Sequence, residues 1–272
     1  ILGEAGLRWA RASVMLNLEG PTLRPGEATT GAWGEGYVDR RHPHAYLQEA
    51  VFGVEGSAIR TAALGPRQAM LGGSAFAGRG FVPFGSGDPM VRPFVKYPVN
   101  HHLAQILERL VAVVAGRAGP LVGELAAFNG DEPVDASTPP LVDRFGDSWA
   151  ARATLLPSWF APALGGAELS ASFARVKSPE YRDGFGMDQR KLHAGARLQR
   201  DVGTTATYPL LEWAQTQDID RGRPLYTFSS VLGEAAACRS QFALAFRAEQ
   251  SERPEEERLP NLFRSPRPAT DL

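Results

Sequence analysis

Four of the five histidines occur in two pairs whose side chains could bind a metal ion. His42 and His44 flank a proline in "RRHPH", and His101 and His102 are adjacent. Imidazole nitrogens are common zinc ligands, and Asp39 could add an oxygen ligand. The alternative is structural, because proline stiffens a loop that enters a strand and histidine often forms hydrogen bonds in such loops. We expect a hydrogen-bonded rim with no metal ion bound.

Charged side chains at alternate positions of apolar segments are the second candidate site. In "KLHAGARLQRD", Arg197 falls on one side of a strand and Leu198 on the other. If these segments form a barrel, the charged residues line its lumen, either as ion pairs that fill it or as a polar path for small solutes. Both interpretations remain open. The set comprises Arg11, Glu49, Glu55, Glu124, Arg152, Glu168, Arg197, Glu212, Glu234, Arg247 and Glu249.

Catalysis has little support in the sequence. None of the spacings typical of serine hydrolases, zinc proteases or P-loops occurs. The glycine-rich stretch "GGSAFAGRGFVPFGSGD" (72–88) lacks the Lys-Ser/Thr pair that holds phosphate, so it predicts a flexible outer loop. Serine and histidine are both present, as a membrane-embedded lipase would require, but no spacing pairs them. We expect neither an enzyme nor a cofactor.

Composition excludes several other classes of protein. The net charge is −1, from 29 basic residues interleaved with 30 acidic ones, so no basic surface for nucleic acid is expected. Cys238 is the single cysteine, which rules out an intrachain disulfide and a Cys-rich metal site. No apolar run approaches the ~20 residues of a membrane-spanning helix. The 29 glycines and 21 prolines favour an all-β chain.

Strict apolar–polar alternation predicts strands, and three segments show it clearly: "SWAARATLL", "KLHAGARLQRD" and "QFALAFRAE". Weaker alternation brings the total to about eleven candidate strands. They cover residues 10–18, 46–55, 57–64, 102–115, 121–128, 148–156, 168–173, 191–201, 205–216, 225–236 and 241–249.

The predicted connections alternate between short and long. Gly56, "GRAGP", "DVGT" and "ACRS" are short, whereas residues 20–43, 65–100, 129–146, 177–189 and 217–224 form longer ones. Outer-membrane barrels show this asymmetry, with short periplasmic turns and long outer loops. We therefore predict one domain, residues 1–272, folded as an all-β, up-and-down antiparallel transmembrane β-barrel of about 12 strands. Residues 251–272 would be an outer loop or tail before a closing strand.

This registration places all the histidines towards the outer end of the barrel. One pair precedes the second strand, the other begins the fourth, and His193 lies near the start of the eighth. Because the second and fourth strands are separated by one neighbour, the two pairs are expected roughly 10 Å apart, at ~4.8 Å per strand step.

Five segments also resemble known motifs. "VDRRHPHAYLQE", "VNHHLAQ", "ELAAFNGDEP", "DSWAARATLLP" and "ARVKSPE" are similar, in the same order, to the recurrent motifs of a poorly characterised family of bacterial outer-membrane β-barrel proteins. The resemblance covers residues 36–180 well. It implies a barrel in the bacterial outer membrane, surrounded by lipid, and brings no settled activity.

The function expected from these observations is a passive, porin-like channel for small solutes. The alternative is a closed barrel that acts as a structural or docking element, with long outer loops such as "FVPFGSGDPMVRPFVKYP" contacting other envelope proteins. A third, minor alternative is a barrel that binds a metal ion at its histidine rim.

Overall fold

A single antiparallel sheet contains all the strands. The computed structural model describes residues 2–7, 9–16, 46–60, 69–86, 101–133 and 137–252. The strands are β1 (Leu2–Leu7), β2 (Ala10–Leu16), β3 (Leu47–Arg60), β4 (Ala69–Gly80), β5 (Arg109–Ala118), β6 (Leu121–Phe128), β7 (Ser148–Leu155), β8 (Ala167–Val176), β9 (Asp188–Leu198), β10 (Arg200–Val202), β11 (Thr205–Asp220), β12 (Arg223–Arg239) and β13 (Phe242–Glu252).

Strands that follow one another along the chain pair antiparallel, except that β9 pairs with β11 and not with β10. This confirms the all-β, up-and-down antiparallel arrangement. Twelve strands lie side by side from β1 to β13, and β10 pairs with the part of β11 that extends beyond β9. Gln199 alone separates β9 from β10, so the two occupy one position in the sheet. β1 and β13 stand at the two ends of the strand order.

Helical structure is scarce. A short helix, α1 (His101–Ala104), precedes β5, and 3₁₀ turns occur at Val142–Arg144, Pro157–Trp159 and Pro162–Leu164. Within the ranges given above, no helix has the length and apolar character that crossing a membrane would require.

Two glycine-rich segments were wrongly predicted. The expected turn at Gly56 does not exist, because β3 continues through it to Arg60. The supposed outer loop 65–100 contains β4, which pairs with β3 and β5 along its length. Glycine lacks the side chain that makes alternation visible, so these strands had no clear period. One predicted strand is part of β3, and β4 was not predicted, so the number of strands between β2 and β5 is unchanged. The strands that follow therefore keep their predicted directions.

Two element boundaries also differ from the prediction. The segment expected to be a strand from His102 begins instead as α1, and β5 starts only at Arg109. The expected longer loop 217–224 is a tight turn, in which Arg221 and Gly222 both have positive φ, at 47° and 84°. This geometry suits the right-handed twist of paired strands, so β11 and β12 continue to the turn.

The predicted alternation of connection lengths holds in most places. Residues 17–46, 81–108, 129–147 and 177–187 connect strands at one end of the sheet, which we call the long-connection end. Gly119–Pro120, 203–204 and 240–241 are tight turns at the other, the short-turn end. At the chain's end, Ser251 and Glu252 belong to β13 instead of a tail. The predicted tail from residue 253 onwards lies outside the described residues.

The two faces of the sheet differ in chemistry. We call the face covered by residues 81–86 the inner face and the opposite one the outer face. On the outer face, directly paired positions of β3 to β9 form a row of small residues, which we call the small-residue row. Its members are Gly56, Gly73, Gly116, Gly123, Ala153, Ala171 and Ala194.

Candidate functional site

The outer face of the sheet exposes large apolar side chains, whereas the inner face buries charged side chains beside an apolar cluster. On the outer face, Leu125 is 58% exposed and Leu244 is 77% exposed. On the inner face, Glu212 is 1% and Glu234 is 3% exposed. Burying a charged group is costly unless it is paired, and apolar groups are normally withdrawn from water. The inner face is therefore where polar chemistry is concentrated.

The strand register brings the eleven charged residues predicted from alternation to this one inner face. Most of them form ion pairs between neighbouring strands. The shortest donor–acceptor distances are 2.7 Å for Arg11–Glu55, 2.5 Å for Arg152–Glu124, 2.6 Å for Arg197–Glu168 and 2.6 Å for Arg247–Glu234. Glu212 contacts His193, Ser251 donates a hydrogen bond to Glu249, and Glu49 is half-buried.

Residues 81–86, which we call the inner segment, lie on the inner face over β7, β8 and β9. Val82 and Phe84 are buried with Val113 and Phe128 of the sheet in one apolar cluster. α1 packs beside them against β9, β11 and β12. This placement corrects the prediction of a flexible outer loop for 72–88. The alternation pattern gave no signal for it, because the direction in which a connection folds is not encoded in strand periodicity.

Hydrogen bonds fix the tip of the inner segment to three successive strands. The Gly85 N–H donates to Ser172 Oγ of β8 at 3.0 Å, and Arg152 of β7 donates to the Gly85 carbonyl oxygen at 3.3 Å. Arg197 of β9 donates to the Ser86 carbonyl oxygen at 3.2 Å. Two arginines expected only to line a lumen therefore also position a loop.

Ser86, His193 and Glu212 form a buried polar contact that the sequence did not reveal. Nε2 of His193 lies 3.1 Å from Ser86 Oγ and 3.1 Å from Glu212 Oε2. Both contacts are made by the same ring nitrogen, and Nδ1 has no hydrogen-bond partner among the described residues. A catalytic triad needs the acid and the serine on opposite ring nitrogens. This arrangement holds the inner segment and does not activate Ser86 as a nucleophile.

Further charged residues are buried at the long-connection end. Arg109 donates to Glu132 at 3.0 Å, and the Lys191 ammonium donates to Thr216 Oγ1 at 3.3 Å. Asp218 is buried near Lys191 on the same face. Buried charges of both signs are tolerated when they compensate one another, so polar groups are buried on this part of the inner face beside the apolar cluster.

Three of the resembling motifs meet at the long-connection end, in an assembly that we call the motif cluster: 129–132, 144–148 and 177–181. Asp147 accepts hydrogen bonds from the Gly130 N–H at 2.8 Å and from Ser148 Oγ at 2.6 Å. Arg144 donates to Asp147 at 2.8 Å and to the carbonyl oxygens of Lys177 and Tyr181 at 2.5 and 2.8 Å. These motif residues, joined by Arg144 from just before the second motif, tie two connections together, which is a structural role.

The described residues include only part of the predicted histidine rim. Asp39, His42 and His44 lie outside the described residues, and for His101 and His102 only the backbone, in α1, is described. His193 lies in the middle of β9 instead of near its start, and it is buried. Within the described ranges, no group of three or more His, Cys, Asp or Glu side chains could hold a metal ion. The metal and hydrogen-bonding interpretations both remain predictions.

An open cavity of about 590 Å³ remains at the short-turn end of the sheet. Its lining includes Glu55, Ser74, Arg117 and Val122, which lie on the inner face. The inner face is therefore covered near the long-connection end and open towards the short turns.

Comparison of the chain with protein-family models, with curated protein sequences and with solved structures gives no match.

Proposed function

We propose that this chain is an outer-membrane β-barrel in which β1 pairs with β13 and the outer face contacts lipid. The exposed apolar side chains of the outer face, opposite the mostly ion-paired charges of the inner face, carry the proposal. In hydrocarbon, strands need closed hydrogen bonding, apolar side chains outside and polar side chains inside. Leu125 and Glu124 are neighbours in the chain and follow this rule, since the first is exposed and the second lies in an ion pair on the inner face.

Exposed aromatic residues near both ends of the sheet support the same proposal. Trp9, Phe160 and Phe242 lie at the short-turn end, and Phe145 and Tyr181 at the long-connection end. Membrane barrels carry such aromatic girdles at the two interfaces, where one side of the ring is apolar and the other is near water. The apolar outer positions of β6 to β9 lie between these two levels.

Within such a barrel, the favoured activity is passive, porin-like passage of small polar solutes. A closed sheet of twelve positions lies between eight-stranded barrels, which side chains fill, and sixteen-stranded porins, which hold a water channel. The open cavity beside Glu55 and Arg117 supports a path at one end. The inner segment narrows the interior beyond it.

Reconstitution of the purified, folded protein into planar bilayers tests this function. We expect discrete conductance steps, smaller than those of wide porins because of the inner segment. Protein that is inserted into the bilayer but gives no steps would eliminate the channel and leave the barrel.

A closed barrel with a structural or docking role is the second candidate. The observation that favours it is the coverage of the inner face by the inner segment, α1 and buried charges such as Lys191. Other envelope proteins would then bind at the long-connection end. Inserted protein without conductance that copurifies with a defined envelope protein after cross-linking in whole cells would favour this role.

A further inference from the structure

We propose that the tip of the inner segment, Phe84 to Ser86, is the constriction that sets the size limit of the path through the barrel. Gly195 of β9 is the position on the inner face against which this tip packs. This inference rests on the proposed channel function. It assigns the size selectivity of the channel to specific residues.

The tip is held rigidly enough to act as a constriction. β7 and β8 each contribute one hydrogen bond to Gly85, and β9 contributes two to Ser86. Phe84 packs against the His193 ring at a centroid distance of 6.0 Å. Phe84 is also buried in the apolar cluster. A loop fixed from three strands and from its own base presents one defined opening to a solute.

The tip also packs closely against β9 on one side and α1 on the other. A Cβ added at Gly195 would contact Ser86 Oγ and would lie 3.0 Å from Cε1 of His193. On the other side of the tip, Gly85 has φ of +83°, and a Cβ there would contact the carbonyl oxygen of Ala104 in α1. The tip therefore fits between β9 and α1 only because positions 195 and 85 are both glycine.

The charges around the tip indicate the class of solute. Arg152 and Arg197 donate to the tip's carbonyl oxygens, and each is paired with a glutamate on the neighbouring strand, Glu124 or Glu168. All four side chains remain partly accessible. The accessible charged groups beside the opening are thus two arginines and two glutamates, whereas Glu212 next to His193 is buried. The accessible groups give no net attraction to an ion of either sign. The geometry suits small uncharged or zwitterionic polar solutes, selected by size.

The test compares Gly195→Ala with Gly233→Ala, in which the added Cβ meets nothing within 4 Å. Both changes are made in the otherwise unchanged protein for the conductance measurement, and again in a Cys238→Ser background that carries Ser86→Cys for a separate labelling measurement. The rate of thiol modification at position 86 reports movement of the tip. Single-channel conductance, with neutral polyethylene glycols of increasing size as pore blockers, reports the opening. Ser172→Ala, which removes the acceptor of the Gly85 N–H, provides a milder second variant should Gly195→Ala fail to fold.

For Gly195→Ala we expect thiol modification to be roughly tenfold faster, because overpacking a filled contact can shift a local equilibrium by that factor. The conductance and the largest polymer admitted should both rise, whereas Gly233→Ala should match the parent. A conducting parent with both readouts unchanged in Gly195→Ala would overturn the constriction and leave the channel. A silent parent with a conducting Gly195→Ala variant would support the constriction and remove the passive open channel. Faster modification with no conductance in any variant would remove both.

Discussion

Glu124 on β6 and Arg152 on β7 occupy directly paired positions, and the guanidinium donates to both carboxylate oxygens at 2.5 and 2.8 Å. A further nitrogen of the same guanidinium donates to the carbonyl oxygen of Gly85. Arg152 therefore neutralises Glu124 on the inner face and also holds the inner segment that covers this part of the sheet.

Removing either partner of this pair should change ion selectivity in opposite directions. Arg152→Gln leaves Glu124 uncompensated and should favour cations, whereas Glu124→Gln leaves Arg152 and should favour anions. The permeability ratio should shift roughly fivefold, since a unit charge at 4 Å contributes about 1 kcal/mol in water. Reversal potentials across a KCl gradient measure this, and the double variant should return to the parent value. Shifts of the same sign in both single variants would contradict the placement of the pair.

Arg144→Ala should loosen the motif cluster. Its guanidinium joins Asp147 to two carbonyl oxygens of the 177–187 connection, and hydrogen bonds from charged groups contribute ~1.5 to 3 kcal/mol each. We expect faster proteolysis between Ser178 and Met187, with the sheet retained by circular dichroism. Arg182→Ala is the matched control, because its hydrogen bond to the Pro139 carbonyl oxygen is long, at 3.3 Å. Equal protease sensitivity in the two variants would remove the structural role of the cluster.

Adjacent residues on β8 test whether the outer face contacts lipid. Ala171 lies on the outer face and Ser170 on the inner face. Ala171→Lys should lower the free energy of folding into lipid vesicles by ~2 to 4 kcal/mol, the cost of a lysine near the bilayer midplane, and Ser170→Lys should cost much less. Denaturant titrations in vesicles give both values. Similar losses in the two variants would count against a membrane-facing wall.

Closure of the sheet can be tested by disulfide formation between β1 and β13. An even number of sheet positions makes these strands antiparallel if they meet. Ala5 lies on the outer face through its pairing with Ala12, as do Leu244 and Phe246 of β13. In a Cys238→Ser background, Ala5→Cys should form an intramolecular disulfide with a cysteine at an outer position of β13, because only same-face Cβ atoms come close enough.

Cysteines at the inner positions Ala243 and Ala245 provide the comparison. They should not react with Ala5→Cys. If every disulfide were between two molecules, a sheet closed within one chain would be ruled out.

The strands with clear apolar–polar alternation were predictable from sequence, and the strand richest in glycine was not. β7, β9 and β13 alternate cleanly, so their existence and their inner residues, such as Arg152 and Arg247, followed from period two alone. β4 contains Gly72, Gly73, Gly78 and Gly80, and its pattern was indistinguishable from that of a loop. β1 contains only six residues and was also missed.

The inner polar face was predictable, but its contacts were not. Alternation placed Glu168 and Arg197 on one face, whereas their pairing depends on a register set by the intervening connections. Ser86 reaches His193 across 107 positions of sequence, and only the inward path of the inner segment brings them together. Local patterns contain no information about that path.

The small-residue row has a practical consequence for measuring orientation. Its members are directly paired, so the row runs perpendicular to the strands, and Gly116 and Gly123 have free space where a Cβ would lie. Spin labels placed along it would report immersion depth strand by strand. With strands inclined by ~40° to the membrane normal, depth would change by ~3 Å per strand, and with upright strands it would stay constant. A single line of small residues thus gives the tilt of the whole wall without any structure determination in lipid.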